Sequence, residues 1–305
     1  MSIPQEEIDY VARSIREKPE YVDPNFIEAA YKNFDLDVIP DPFSKEIINK
    51  IKYALKHQIP YSVIRIGDGE ANILTYSHYK ETPVLNKWVF EKIIALQQDS
   101  FKLSEEWMLD LQQQMLQAIK EADIVGVTGL WRPEKVSVEL IESMFLDQKY
   151  RGVSGHFRAI DHLLKLASEN HLHGKVIASA HLYFSILEHL DELLNEATHL
   201  IVISDNQSIV EQLQSKNPKL EIKFIPVGCN NKASKDSPYF FEELRNRLPN
   251  TLTDHLCLIG AGPWSEIYCL WIKQRGGVAV DIGSGFDLLR GEKTRPIHKY
   301  ITLPN

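Results

Sequence analysis

Cysteine is scarce in this 305-residue chain: Cys229, Cys257 and Cys269 are widely spaced and form no C-x-x-C pair, which argues against a zinc knot or a disulfide framework. Cys257 and Cys269 lie in apolar runs and read as inert core thiols. Positive charge is also in deficit. With 34 Lys and Arg against 42 Asp and Glu, the formal charge is −8; a nucleic-acid partner is not expected, because affinity for a phosphate polymer comes from clustered cations. No apolar run approaches the ~20 residues that span a bilayer, and the opening residues lack the basic segment and apolar stretch of a secretion signal. A cytoplasmic location is expected, compatible with peripheral membrane association through a few surface residues.

Several catalytic signatures are missing as well. The 11 histidines include no H-E-x-x-H spacing, and the chain has no G-x-S-x-G elbow and no G-x-x-x-x-G-K-[ST] phosphate loop. Zinc hydrolases, nucleophile-elbow hydrolases and the common nucleotide triphosphatases are therefore poorly supported. What remains are enzymes that hold a diphosphate through a metal and the backbone.

The chain does have enough apolar residues, 44%, to bury a large core. Residues 1–60 carry helical patterns without a clear strand, broken by Pro24, Pro40 and Pro42, and read as an N-terminal helical extension. Its last element starts at Ser44, a plausible N-cap; Ile47, Ile48, Ile51, Ala54 and Leu55 recur at helical spacing before Pro60. Over 61–305 short Val- and Ile-rich runs alternate with amphipathic segments: 61–66, 123–127, 175–180, 199–204, 221–227, 255–259 and 278–282. Between the first two runs lie helix candidates at 87–98 and 104–122. The alternation predicts an α/β, Rossmann-like domain, with a mostly parallel sheet flanked by helices.

Arg65-Ile66-Gly67-Asp68-Gly69-Glu70 closes the first run. It places two carboxylates, Asp68 and Glu70, at a strand exit, where open α/β proteins put their chemistry. In extended backbone, residues two apart project to one side, so both acids would face one divalent cation; Gly67 and Gly69 would let the chain turn sharply. Gly-Asp-Gly is also ordinary turn punctuation.

Other strand ends carry weaker signals. Gly260-Ala261-Gly262-Pro263-Trp264-Ser265, with Asp281 closing the next run, imitates the dinucleotide fingerprint, but Ser265 stands where the third glycine belongs. A phosphate loop of another kind or a plain strand-to-helix turn are the alternatives. Asp281-Ile282-Gly283-Ser284-Gly285 is like the first motif of S-adenosylmethionine enzymes, yet only about twenty residues follow it, too few for the units such a domain still needs. Asp205 is a candidate base or an N-cap, and His181 a candidate phosphate donor or a structural residue. His156 and Arg158 would meet an anion at a helix start, or else line a solvated face, and Trp131 with Arg132 would serve a base or sugar ring.

The segment Arg65-Ile66-Gly67-Asp68-Gly69-Glu70 resembles the R-x-G-D-G-E segment, with its D-x-E metal motif, of the bacterial glycosyltransferases of the GT-D fold, first catalogued as a domain of unknown function. Gly260-Ala261-Gly262-Pro263 and Val280-Asp281-Ile282-Gly283 occupy the places of that family's A-G-P turn and D-x-G closing strand, and the resemblance covers roughly residues 45–290. It implies a nucleotide-sugar donor such as a UDP-hexose, a glycan or glycoconjugate acceptor, and Mn²⁺ or Mg²⁺ as the metal. By the resemblance, Asp68 and Glu70 would bind the metal and the donor phosphates; from the residues themselves, Arg65, Gly67, Gly69, His181, Gly260, Gly262 and Asp281 are donor-side candidates and Asp205 a candidate base. The implied role is surface-polysaccharide or glycoprotein assembly. Two rival readings of the same acids are a metal-dependent phosphohydrolase and a non-catalytic nucleotide-binding module.

Overall fold

The computed structural model describes residues 2–93, 104–227 and 239–303. Its strands are β1 Asp37–Ile39, β2 Tyr61–Ile66, β3 Ile124–Val127, β4 Val176–Ser179, β5 His199–Ser204, β6 Glu221–Pro226, β7 His255–Ile259 and β8 Val278–Asp281. They form one eight-stranded sheet in the order β1-β4-β3-β2-β8-β7-β5-β6, surrounded by helices. The ladders from β1 to β4, β2 to β8, β5 to β6, β5 to β7 and β7 to β8 are all parallel, as the strand-helix alternation predicted.

Burial along the strands follows from that order. β3, β4 and β8 are buried at every position, as strands covered on both faces must be. At one end of the sheet β6 exposes Glu221, Lys223 and Pro226. Charge and proline on an edge strand discourage pairing with a further chain. β1, at the other end, corrects the strand-free reading of residues 1–60. Its three residues are too few to show a period.

By internal contacts the chain divides into two units: Met1–Pro40, Arg65–Lys120 and Val125–Ala180 form the first, and Asp41–Ile64, Glu121–Ile124 and His181–Asn305 the second. In the first unit the helix Gln5–Glu17 buries Val11, Ala12 and Ile15. Its Glu7, also buried, accepts from Val84 N at 3.1 Å and Leu85 N at 2.8 Å, and so caps the helix Pro83–Ile93 from a distant part of the chain. Lys18, Tyr21 and Tyr79 all donate to the Asp161 carboxylate. The contacts from Lys18 and Tyr21 bind the N-terminal segment to the long helix Tyr150–Ser168.

In the second unit the helix Lys45–Lys56 forms as its spacing predicted: Ser44 Oγ accepts from Glu46 N, and Ile47, Ile48, Ile51, Ala54 and Leu55 are all buried. Cys257 and Cys269 are buried and not joined in a disulfide, in keeping with core thiols; Cys229 lies outside the described residues. The helix candidate at 104–122 is the helix Glu105–Glu121. The candidate at 87–98 is a helix from Pro83 to Ile93, and its remaining positions lie outside the described residues. Among the described residues, no helix is long and apolar enough to cross a membrane.

Candidate functional site

The first unit holds the acid pair. β2 ends at Ile66, Gly67 is the N-cap with extended backbone, and Asp68 opens the helix Asp68–Leu74. This corrects the extended reading of the motif. The helix forms because Ala71, Ile73 and Leu74 bury their side chains, and residues two apart on a helix diverge by about 200° rather than sharing a side. Glu70 returns over the turn instead, with Oε2 accepting from Gly67 N at 3.0 Å. That is the reach-back half of a capping box, and both acids favour the positive end of the helix. A methyl group at Gly69 would meet nothing nearer than the Ile93 side chain at 3.9 Å, so no tight approach requires glycine there. The Arg65 guanidinium donates to Ala180 O at 3.4 Å.

Asp68 is half exposed and pairs with Arg151, whose Nε lies 3.2 Å from Oδ2. Arg151 belongs to the first turn of the helix Tyr150–Ser168, which starts earlier than the sequence suggested. Beneath the ion pair lies Asn72, buried. Its Nδ2 donates to Asp68 O at 2.6 Å and to Arg151 O at 3.0 Å; its Oδ1 accepts from Ser154 Oγ at 3.3 Å and from the Arg158 guanidinium at 3.2 Å. Arg158 also donates to Thr82 Oγ1 and Asn86 Oδ1 and stacks on the Tyr79 ring. Gly155 makes the helix contact possible, because a Cβ there would lie 2.2 Å from Asp68 O.

Arg158 and His156 were expected at a helix start facing solvent or an anion. Arg158 is instead a buried mid-helix residue. His156 contacts Thr128 Oγ1 through Nδ1 at 2.8 Å, and the Arg132 guanidinium lies against its Nε2. Burial, then the neighbouring Arg132 charge, pushes the His156 imidazole down to about 3, so it is neutral near pH 7.

The second unit holds the other candidates. Asp205 Oδ1 lies 3.9 Å from the Arg290 guanidinium, which also pairs with Asp287 and Glu292. The turn that begins the helix Ser208–Lys216 is made by Asn206, whose Oδ1 accepts from Ser208 N at 2.9 Å. A Cβ at Gly260 would come 2.4 Å from the Phe286 ring, so that glycine admits the loop after β8. Gly262 adopts the left-handed φ of 58° before the helix Ser265–Gln274. Asp281 is buried, and its Oδ1 accepts from Gly283 N at 3.0 Å. His181 packs its ring beside Tyr183 and Phe184.

The model of the family described as GT-D fold-like domain matches residues 43–289. The chain belongs to the GT-D fold-like family. Membership supports a glycosyltransferase-type function, with a nucleotide-sugar donor and a glycan acceptor as the general substrate classes. A solved structure described as "Selenomethionine substituted structure of domain of unknown function 1792 (DUF1792)" is similar to this chain at a TM-score of 0.46 and 18% identity, over 90% of this chain and 88% of that one. No curated protein sequence matches the chain.

A divalent metal is what the resemblance to metal-dependent members of the GT-D fold implies, and the donor set can be tested for it. Two half-exposed carboxylates offer hard oxygen ligands. Among the described residues, no group of three or more His, Cys, Asp and Glu is arranged to hold a metal. Two such carboxylates would hold a divalent cation only with water or substrate oxygens completing its shell, as they usually do for Mg²⁺. Sequence reasoning singled out the acids but missed Arg151 and Asn72, which reach Asp68 from 83 residues away and from within the same helix. The second had a signal, since Asn72 stands four residues after Asp68 on one helical face.

Proposed function

We propose that this protein is a divalent-cation-dependent glycosyltransferase that moves a sugar from a nucleotide-diphosphate sugar, a UDP-hexose, to a glycan acceptor in bacterial surface polysaccharide or glycoprotein assembly. The observation that carries the reading is the turn after β2, where Asp68 and Glu70 stand half exposed at a strand exit in a GT-D fold-like chain. In this reading the two carboxylates hold Mn²⁺ or Mg²⁺. When bound, the cation neutralises charge developing on the diphosphate leaving group without a proton. The residues of the chain supply the rest: Glu70 fixes the turn through Gly67 N, and Arg65 anchors it to Ala180 O.

The test is a thermal-shift panel of nucleotide sugars with and without Mn²⁺. A ligand that binds only the folded state raises its stability by mass action, about 2.7 kcal/mol at a hundredfold excess over Kd. The expected result is a shift that needs both a UDP-sugar and Mn²⁺, and that Asp68→Asn abolishes. Equal shifts with and without the cation would overturn the metal role.

A further inference from the structure

We infer that Arg151 is the resident counter-ion of Asp68, displaced when a divalent cation takes the carboxylate and then turned toward the diphosphate that the cation binds. The inference rests on the proposed role of Asp68 and Glu70.

Three features carry it. First, the ion pair is labile. Arg151 Nε stands 3.2 Å from Asp68 Oδ2, with side chains 46% and 41% exposed, and exposed pairs of this kind are weak and screened by salt. Second, the backbones beneath it are fixed to each other. The Asn72 amide, 2% exposed, donates to the carbonyls of both Asp68 and Arg151. Its oxygen is taken by Ser154 Oγ and Arg158, so all four hydrogen-bonding positions of that amide are filled and it has one orientation. Close packing at Gly155 holds the same two helices together. The pair thus consists of two solvent-exposed side-chain ends on backbones tied to each other through Asn72. Third, the chemistry is complementary. A guanidinium and a divalent cation compete for one carboxylate and repel each other, whereas a guanidinium matches phosphate oxygens with parallel N–H donors. Because Asn72 keeps its backbone in place, a displaced Arg151 stays within side-chain reach of whatever binds at Asp68.

The consequence is a pair of effects of opposite sign, which a merely structural role does not produce. With Arg151→Gln, calorimetric titration of the protein with Mn²⁺ alone gives tighter binding, about tenfold at low ionic strength and about threefold at 0.15 M salt, as screening weakens the removed repulsion. UDP binding at saturating Mn²⁺ weakens by about tenfold in the same variant. Arg151→Lys keeps the charge, so it keeps wild-type Mn²⁺ affinity while losing part of the UDP affinity with the fork. Mn²⁺ affinity that is unchanged in Arg151→Gln overturns the inference and leaves the metal role standing. If wild type and variant both ignore Mn²⁺, and UDP binds equally well in a chelator, the metal role fails and the inference with it.

Discussion

Replacing Gly155 with alanine is a direct test of how the acid-bearing turn is held. A methyl at that position would lie 2.2 Å from Asp68 O, 2.7 Å from Asp68 Cα and 2.5 Å from Asn72 Nδ2. Two of those atoms are backbone, so the helix Tyr150–Ser168 must withdraw by about 1 Å to reach ordinary contact. Overpacking of this kind typically costs about 1–3 kcal/mol, and the strained Asn72 hydrogen bond adds about 1 kcal/mol. Against this, alanine gains about 1 kcal/mol over glycine inside a helix. The net expectation is a loss of about 1–3 kcal/mol. Gly152, one turn earlier on the same helix, is the control, because a methyl there meets nothing nearer than Asp68 Oδ2 at 3.9 Å. Gly152→Ala should gain about 0.5–1 kcal/mol from propensity alone. Urea unfolding followed by circular dichroism measures both variants. Equal stability for the two would refute the claim that close packing at Gly155 fixes the turn.

Glu70→Gln should retain the fold, because the Gln side-chain oxygen can still accept from Gly67 N; turnover should fall by at least about a hundredfold, since the carboxylate charge is what a cation requires. Wild-type turnover in a folded Glu70→Gln protein would remove Glu70 from the site. Stability should also fall in mild acid. Burial, reinforced by the neighbouring His78 and Lys165 and opposed by Asp161, pushes the His162 imidazole down to about 4, against about 6.5 in an unfolded chain. Between those values the unfolded chain takes up a proton that the folded one refuses, so the His162 contribution is level above about pH 6.5 and costs up to about 3 kcal/mol as pH falls toward 4, beside a loss of the same sign from His156. Urea midpoints from pH 7.5 to 4.5 should therefore slope less in His162→Gln than in the wild type; parallel slopes would show that His162 is not the group responsible.

Much of the fold was legible because a parallel sheet covered on both sides writes itself as continuous apolar runs. β2, β5 and β7 begin and end where their runs do, and the other predicted strands differ by a residue or so at an end. β1 was not legible, since three residues at an edge carry neither a run nor a period. The start of the helix Tyr150–Ser168 was missed for a different reason: Gly152 and Gly155 lower helix propensity and read as loop. The packing of that helix on Asp68 overrides the local preference. The same holds at the acid motif. Its residues were legible, but its geometry was not, because whether Asp68 stands in strand or helix is decided by burial of Ala71, Ile73 and Leu74.

The least legible part of the site lies beneath it. Arg158 is buried, and its hydrogen bonds run to three neutral oxygens, on Asn72, Thr82 and Asn86. Burial pulls its guanidinium down to about 10, which still leaves it charged at neutral pH. Replacing the whole network by apolar side chains would often be as stable, but removing Arg158 alone would leave three buried oxygens short of a donor. What an apolar residue would not do is orient an amide. Arg158 draws the Asn72 oxygen toward itself, which turns Nδ2 toward the carbonyls of Asp68 and Arg151. The buried cation therefore acts on the exposed acid through one intervening side chain, and the arrangement is better explained by the position it imposes on Asp68 than by the stability it contributes.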